Sequence, residues 1–81
     1  MTEQDFKSEM ARAESRRSLA EPTEAEYWAG YIRGLRRAYH GERFGTNEEH
    51  ARYMSAANSI NESRKRLGVG YKDGLAFEKQ G

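Results

Sequence analysis

Apolar positions recur with helical spacing in three stretches of the chain. In the first, Phe6, Met10 and Ala13 stand at i, i+4 and i+7 among charged and small residues, which predicts a helix over about residues 3–19. Three anchors make a narrow stripe, so this segment, residues 1–21, is expected to fray or to order against a partner. Pro22 disfavours helical backbone at Glu21. Thr23, with Glu26 three residues on, has the spacing of a capping box, so a second helix is expected over residues 24–40. Its apolar face is wide: Tyr31, Ile32, Leu35 and Tyr39 fall within about 60° of Trp28, flanked by Tyr27 and Ala38. Gly41 is placed to stop it by adopting left-handed backbone. Thr46 and Glu49 repeat the capping spacing, and the stripe His50, Tyr53, Met54, Ala57, Ile60, Arg64 and Leu67 predicts a third helix over 47–67 with Gly68 as its stop.

The link "GERFG" is short enough to make the second and third helices antiparallel neighbours, with Phe44 plugging the turn. Residues 68–81 are punctuated by glycine and lack helical periodicity, although "YKDGL" has the residues of a tight turn. They read as an irregular tail pinned by Tyr71, Leu75 and Phe77. The expected fold is therefore all-α: one small domain over residues 1–81, a three-helix arrangement built on an antiparallel helical hairpin, with a glycine-rich C-terminal tail.

Composition thins the core this pattern describes. Only ten of 81 residues are Leu, Ile, Val or Phe, and five tyrosines, one tryptophan and three methionines must supply much of the apolar surface. Tyrosine buries its ring but needs a partner for its hydroxyl. A shallow core completed against a partner protein or a second copy of the chain is the expectation. The absence of cysteine removes disulfides and thiolate metal sites and fits a reducing compartment. Without an apolar run long enough to span a bilayer, and with a charged N-terminal stretch, the chain reads as soluble and cytoplasmic, with no membrane partner. Fourteen basic against thirteen acidic residues leave no global field for nucleic acid.

Locally, charge is patterned. Arg33, Arg36, Arg37 and His40 lie at i, i+3, i+4 and i+7 on one side of the second helix, about 80–180° from Trp28, with Tyr39, Arg43 and Phe44 beside them. Guanidinium forks there suit carboxylate or phosphate; the alternative is a solvated face neutralised by acids of the first helix, Glu3, Asp5, Glu9 or Glu14. Arg64, Lys65 and Arg66 fall at the expected end of the third helix, where the helix dipole favours cations regardless of function. Gly30 and Gly34 each weaken a helix by about 1 kcal/mol relative to alanine, which implies a close neighbour: the first helix, the tail or a second subunit. His40, Glu42, Glu49 and His50 have the chemistry of metal ligands but not the spacing, so no metal is expected. No cofactor motif and no nucleophile arrangement is present, and a catalytic role is not expected. These features favour a small accessory, regulatory or inhibitory protein that binds an acidic protein surface through the arginine and tyrosine face of the second helix. Nucleic acid gripped by the same arginines is the alternative, with Tyr39 and Phe44 stacking on bases. Against a helix-turn-helix reader, the third helix opens with acids, in "TNEEHAR".

Overall fold

A computed structural model describes residues 1–77. Among them are four helices and no strand, so the all-α expectation holds: α1 (Glu3–Leu19), α2 (Pro22–His40), α3 (Asn47–Ala56) and α4 (Glu62–Leu75), with a single 3-10 turn over Gly41–Arg43 after α2. The order of packing differs from the expected hairpin. The main contact joins α2 to α4, while α1 lies on α2 and α3 lies on α4.

Glycine sets the α2–α4 contact. A Cβ on Gly30 would sit 1.9 Å from the Leu67 carbonyl oxygen and one on Gly34 would sit 2.1 Å from that of Tyr71. From the other helix, a Cβ on Gly70 would meet the Tyr27 oxygen at 1.9 Å and one on Gly74 the Tyr31 oxygen at 2.2 Å. Each glycine thus faces a carbonyl of the opposite helix, the close approach that pairs of small residues four apart permit. Because the pairing advances in the same direction along both, α2 and α4 run parallel. The intervening α3 returns the chain to the start of α2.

Two sequence expectations are corrected here. The third helix does not run from 47 to 67: it stops at Ala56, and Asn61 caps a new helix by accepting the Arg64 N–H at 3.0 Å. The turn between them is closed by Asn58 and Ser59 N–H groups on the Ser55 and Ala56 carbonyls. Ile60, placed by periodicity on the apolar stripe, is fully exposed in this turn. Gly68 does not stop a helix. It lies inside α4, where a Cβ would come within 2.1 Å of the Ala57 nitrogen, so its bareness lets the turn fold back on the helix. The expected irregular tail is accordingly helical to Leu75, and its end beyond residue 77 lies outside the described residues. Tertiary contact has overridden the low helix propensity of its glycines.

At the helix starts, the Thr46 hydroxyl accepts the Glu49 N–H at 3.0 Å as expected. The predicted Thr23 cap is not used. Pro22, whose fixed φ suits the first helical position, brings the start of α2 forward to follow Glu21. Gly41 ends α2 with φ +71°.

The core is small: Ala13, Tyr31, Ile32, Leu35 and Tyr71 are buried, with Phe6, Met10, Tyr27, Trp28 and Phe77 packed around it. Helix α1 is fixed to α2 by polar as much as apolar contacts. Buried Glu9 accepts a hydrogen bond from the Tyr31 hydroxyl and a bidentate pair from Arg12 (3.0 and 2.7 Å). Arg12 and Arg16 both lie over the Trp28 ring, at 5.9 and 5.8 Å from its centroid.

Candidate functional site

The arginine stripe divides once folded. Arg33 and Arg37 turn toward the α2–α3 connection. The Arg33 guanidinium lies 5.4 Å from the Phe44 ring centroid and 5.2 Å from that of Tyr53, and it pairs with Glu49 at 3.4 Å. Its Nε is buried without a hydrogen-bond partner among the described residues. Glu49 therefore serves Arg33 from α3, and the acids of α1 do not neutralise the stripe. Arg37 donates to the carbonyls of Phe44 (3.3 Å) and Thr46 (3.5 Å) and to Asn47 Oδ1 (3.2 Å), stitching the turn to the start of α3. Beneath them Tyr71 stacks on Tyr53 (4.9 Å) and shares a 2.7 Å hydrogen bond with His50 Nδ1. Burial raises the Tyr71 hydroxyl above its ordinary value, against the opposing pull of Arg37 and Arg33. Both arginines are structural members of this end of the fold.

Arg36 and His40 face the other way, into a groove of about 530 Å³ between α1 and the end of α2. Phe6, Met10, Ala11 and Phe44 give it an apolar floor, Lys7 adds a third basic side chain and Glu14 a carboxylate. Tyr39 is stacked on Phe6, centroids 4.3 Å apart and planes 8° from parallel, and His40 meets the same ring edge-on at 5.4 Å. The Arg36 guanidinium rests 5.9 Å from the centroid of Phe44, the ring that Arg33 also approaches. Lys7 is paired with Glu3 at 3.2 Å. Among the described residues no carboxylate pairs with Arg36, His40 or Arg43, the last exposed on the 3-10 turn.

Of the predicted surface, then, Arg36, His40, Phe44 and, more distantly, Arg43 remain available, whereas Arg33 and Arg37 are committed and Tyr39 has one face covered. Sequence reasoning missed the contribution of Phe6, Lys7 and Met10 to the same groove. Phe6 and Met10 were visible as an apolar stripe, but nothing local showed which part of α2 they would meet. Gly30 and Gly34 have the close neighbour their cost implied, and it is α4. The basic run Arg64 to Arg66 lies in the N-terminal part of α4 instead of at a C-terminus, so the helix dipole does not explain it. Arg66 instead pairs with Glu24 at 2.5 Å and covers the Tyr27 ring at 4.7 Å. Tyr27 in turn donates to Asp73 at 2.6 Å, and burial followed by that bond raises its hydroxyl to about 12.

Among the described residues no three His, Cys, Asp or Glu side chains gather as ligands of one metal ion. Glu49 is taken by Arg33 and His50 by Tyr71, while His40 sits on Phe6. No described helix is long and apolar enough to cross a membrane. Comparison with family models, curated proteins and solved structures found no match to this chain.

Proposed function

We propose that the chain is a non-enzymatic interaction protein whose α1–α2 groove takes an acidic segment of a partner protein anchored by an apolar side chain. The observation that carries this reading is the pairing of an apolar floor, Phe6, Met10 and Phe44, with Arg36 and His40, two basic groups left without carboxylate partners. Arg12, Arg33 and Arg66 are paired with acids, whereas Arg36, like several other arginines, has none among the described residues. A ligand with one apolar anchor and flanking carboxylates would fill the floor and complete the charges, the arrangement enriched at interface hot spots. Arginine is suited to that role by its planar fork. The nucleic-acid alternative is disfavoured because stacking on bases needs open rings. Tyr39 lies against Phe6 and has only its other face to offer.

The test is affinity capture from the source cell with the wild-type chain and with Arg36→Glu, circular dichroism confirming equal helicity. A protein retained by the wild type and lost with Arg36→Glu supports the groove. Capture indifferent to Arg36, or a low-salt shift of single-stranded oligonucleotide, refutes it.

A further inference from the structure

A second hollow lies on the opposite side of the molecule from α1, between α3 and the start of α4, with a volume of about 360 Å³. Its walls are the Tyr53 ring, Ala56 and Leu67; its polar rim carries Arg52, Ser55, Ser59 and Arg64. Neither arginine is paired with a carboxylate among the described residues, in contrast to Arg12, Arg33 and Arg66. Ser59 Oγ accepts the Asn61 N–H at 3.1 Å, so its own O–H remains to donate. Ser55 spends its proton on the Ala51 carbonyl at 2.7 Å. At the end of α3 the Ser55 and Ala56 carbonyls accept the N–H groups of Asn58 and Ser59. No carboxylate lines this hollow, and its free polar groups are donors.

We propose that this hollow binds a small phosphate monoester carried on an apolar, ring-sized body. Two guanidinium forks match the charge and oxygen geometry of a dianionic phosphate better than that of a single carboxylate. Tyr53 and Leu67 offer the body a wall, and the volume falls in the range of small-ligand sites. The site is independent of the α1–α2 groove and shares no residue with it.

Proton–nitrogen correlation NMR on the full chain, titrated separately with phenyl phosphate, inorganic phosphate and phenol, and then with a phosphotyrosine peptide, tests the assignment. Phenyl phosphate is expected to shift amides from Arg52 to Ser59 and at Arg64, and to bind about tenfold more tightly than inorganic phosphate, the ring contributing roughly the burial of one or two methylene equivalents. Phenol alone shifts nothing at matched concentration. Arg52→Ala and Arg64→Ala, both exposed positions, each weaken binding about tenfold through loss of a charge-assisted hydrogen bond, and Arg36→Ala leaves it unchanged. Equal affinity for the two phosphates, shifts centred on Arg36 and His40, or indifference to both substitutions overturns the proposal. A phosphotyrosine peptide binding more tightly than phenyl phosphate overturns the assignment to a free small molecule. The ranking of the probes is read on the unmodified chain and does not depend on how any variant folds.

Discussion

Alanine in place of Gly30 separates the packing account from simple helix propensity, because the two predict opposite signs. With room around it, a helical Gly→Ala change stabilises by about 1 kcal/mol. Here the new Cβ would lie 1.9 Å from the Leu67 oxygen, against an ordinary contact of 3.4 Å or more, so α2 and α4 would have to part by about 1.5 Å. Both atoms are fixed to backbone, and no rotamer change relieves them. A clash of this kind against fixed backbone costs about 3–4 kcal/mol, at the upper end of overpacking, or roughly 2–3 kcal/mol net of the propensity gain. A chain of this length has on the order of 4–12 kcal/mol in total, and 1 kcal/mol moves the midpoint of a small domain by about 4–8 °C. A fall in Tm on the order of 15 °C is expected, read by far-UV circular dichroism. Gly41→Ala is the control: its φ of +71° is strained for alanine but nothing lies within 4 Å of the added Cβ, so about 1 kcal/mol is lost. A Gly30→Ala chain as stable as the wild type, or more so, would refute the parallel glycine contact.

Other substitutions test the remaining contacts. Arg33→Ala removes a guanidinium held between Phe44 and Tyr53 and strands Glu49, and should cost about 2 kcal/mol in urea denaturation, while Arg36→Ala changes stability by less than about 0.5 kcal/mol; equal costs would show that the division of the stripe is wrong. Glu9 is held below its ordinary value of 4.5, chiefly by the Arg12 hydrogen bonds, so its contribution to stability is present above that value and is lost as pH falls through the lowered one. Denaturation midpoints of Glu9→Gln should therefore be lower than wild type at neutral pH and converge with it in acid. For Tyr27, with its hydroxyl raised to about 12, the sign reverses: its contribution is complete below the ordinary value of 10.0 and declines as pH rises toward 12, a decline that Tyr27→Phe should lessen.

How much was legible in the sequence follows from the range of each signal. The Thr46 cap and the Gly41 stop are local devices satisfied by backbone within a few residues, and both were readable as such. The cost of Gly30 and Gly34 in an otherwise strong helix announced a neighbour. That neighbour was hidden, since Gly70 and Gly74 carry the same spacing inside a segment whose local propensity points away from helix, and only the opposite backbone makes it helical. Between α3 and α4 the apolar period ran on through Ile60 and masked the break, although Asn58, Ser59 and Asn61 are residues that favour turns and caps. In the candidate site, the arginine spacing was visible but its neutralisation was not. Glu49 looked like a reciprocal cap for Thr46 and is drawn instead to Arg33, a contact that exists only once α3 has turned back.

The position of the uncovered basic side chains follows from the glycine register. Measured around α2 from Gly30 at about 100° per residue, the face toward α4 spans Gly30, Gly34, Tyr27 and Tyr31, at about 0–100°. Trp28, Leu35, Tyr39 and Ile32 follow at about 140–200°, the face that receives α1. The remaining arc, about 240–340°, holds Arg36, His40, Arg33 and Arg37 in that order and meets no long helix. The turn after α2 and the first residues of α3 can reach only its far half, where Phe44, Glu49, Asn47 and Tyr53 engage Arg33 and Arg37. Its near half is left between Phe44 and α1. Arg36 and His40 are open because a backbone contact at Gly30 and Gly34 fixes how α2 is turned, and a groove lined by basic side chains over rings is what that rotation leaves for a ligand to cover.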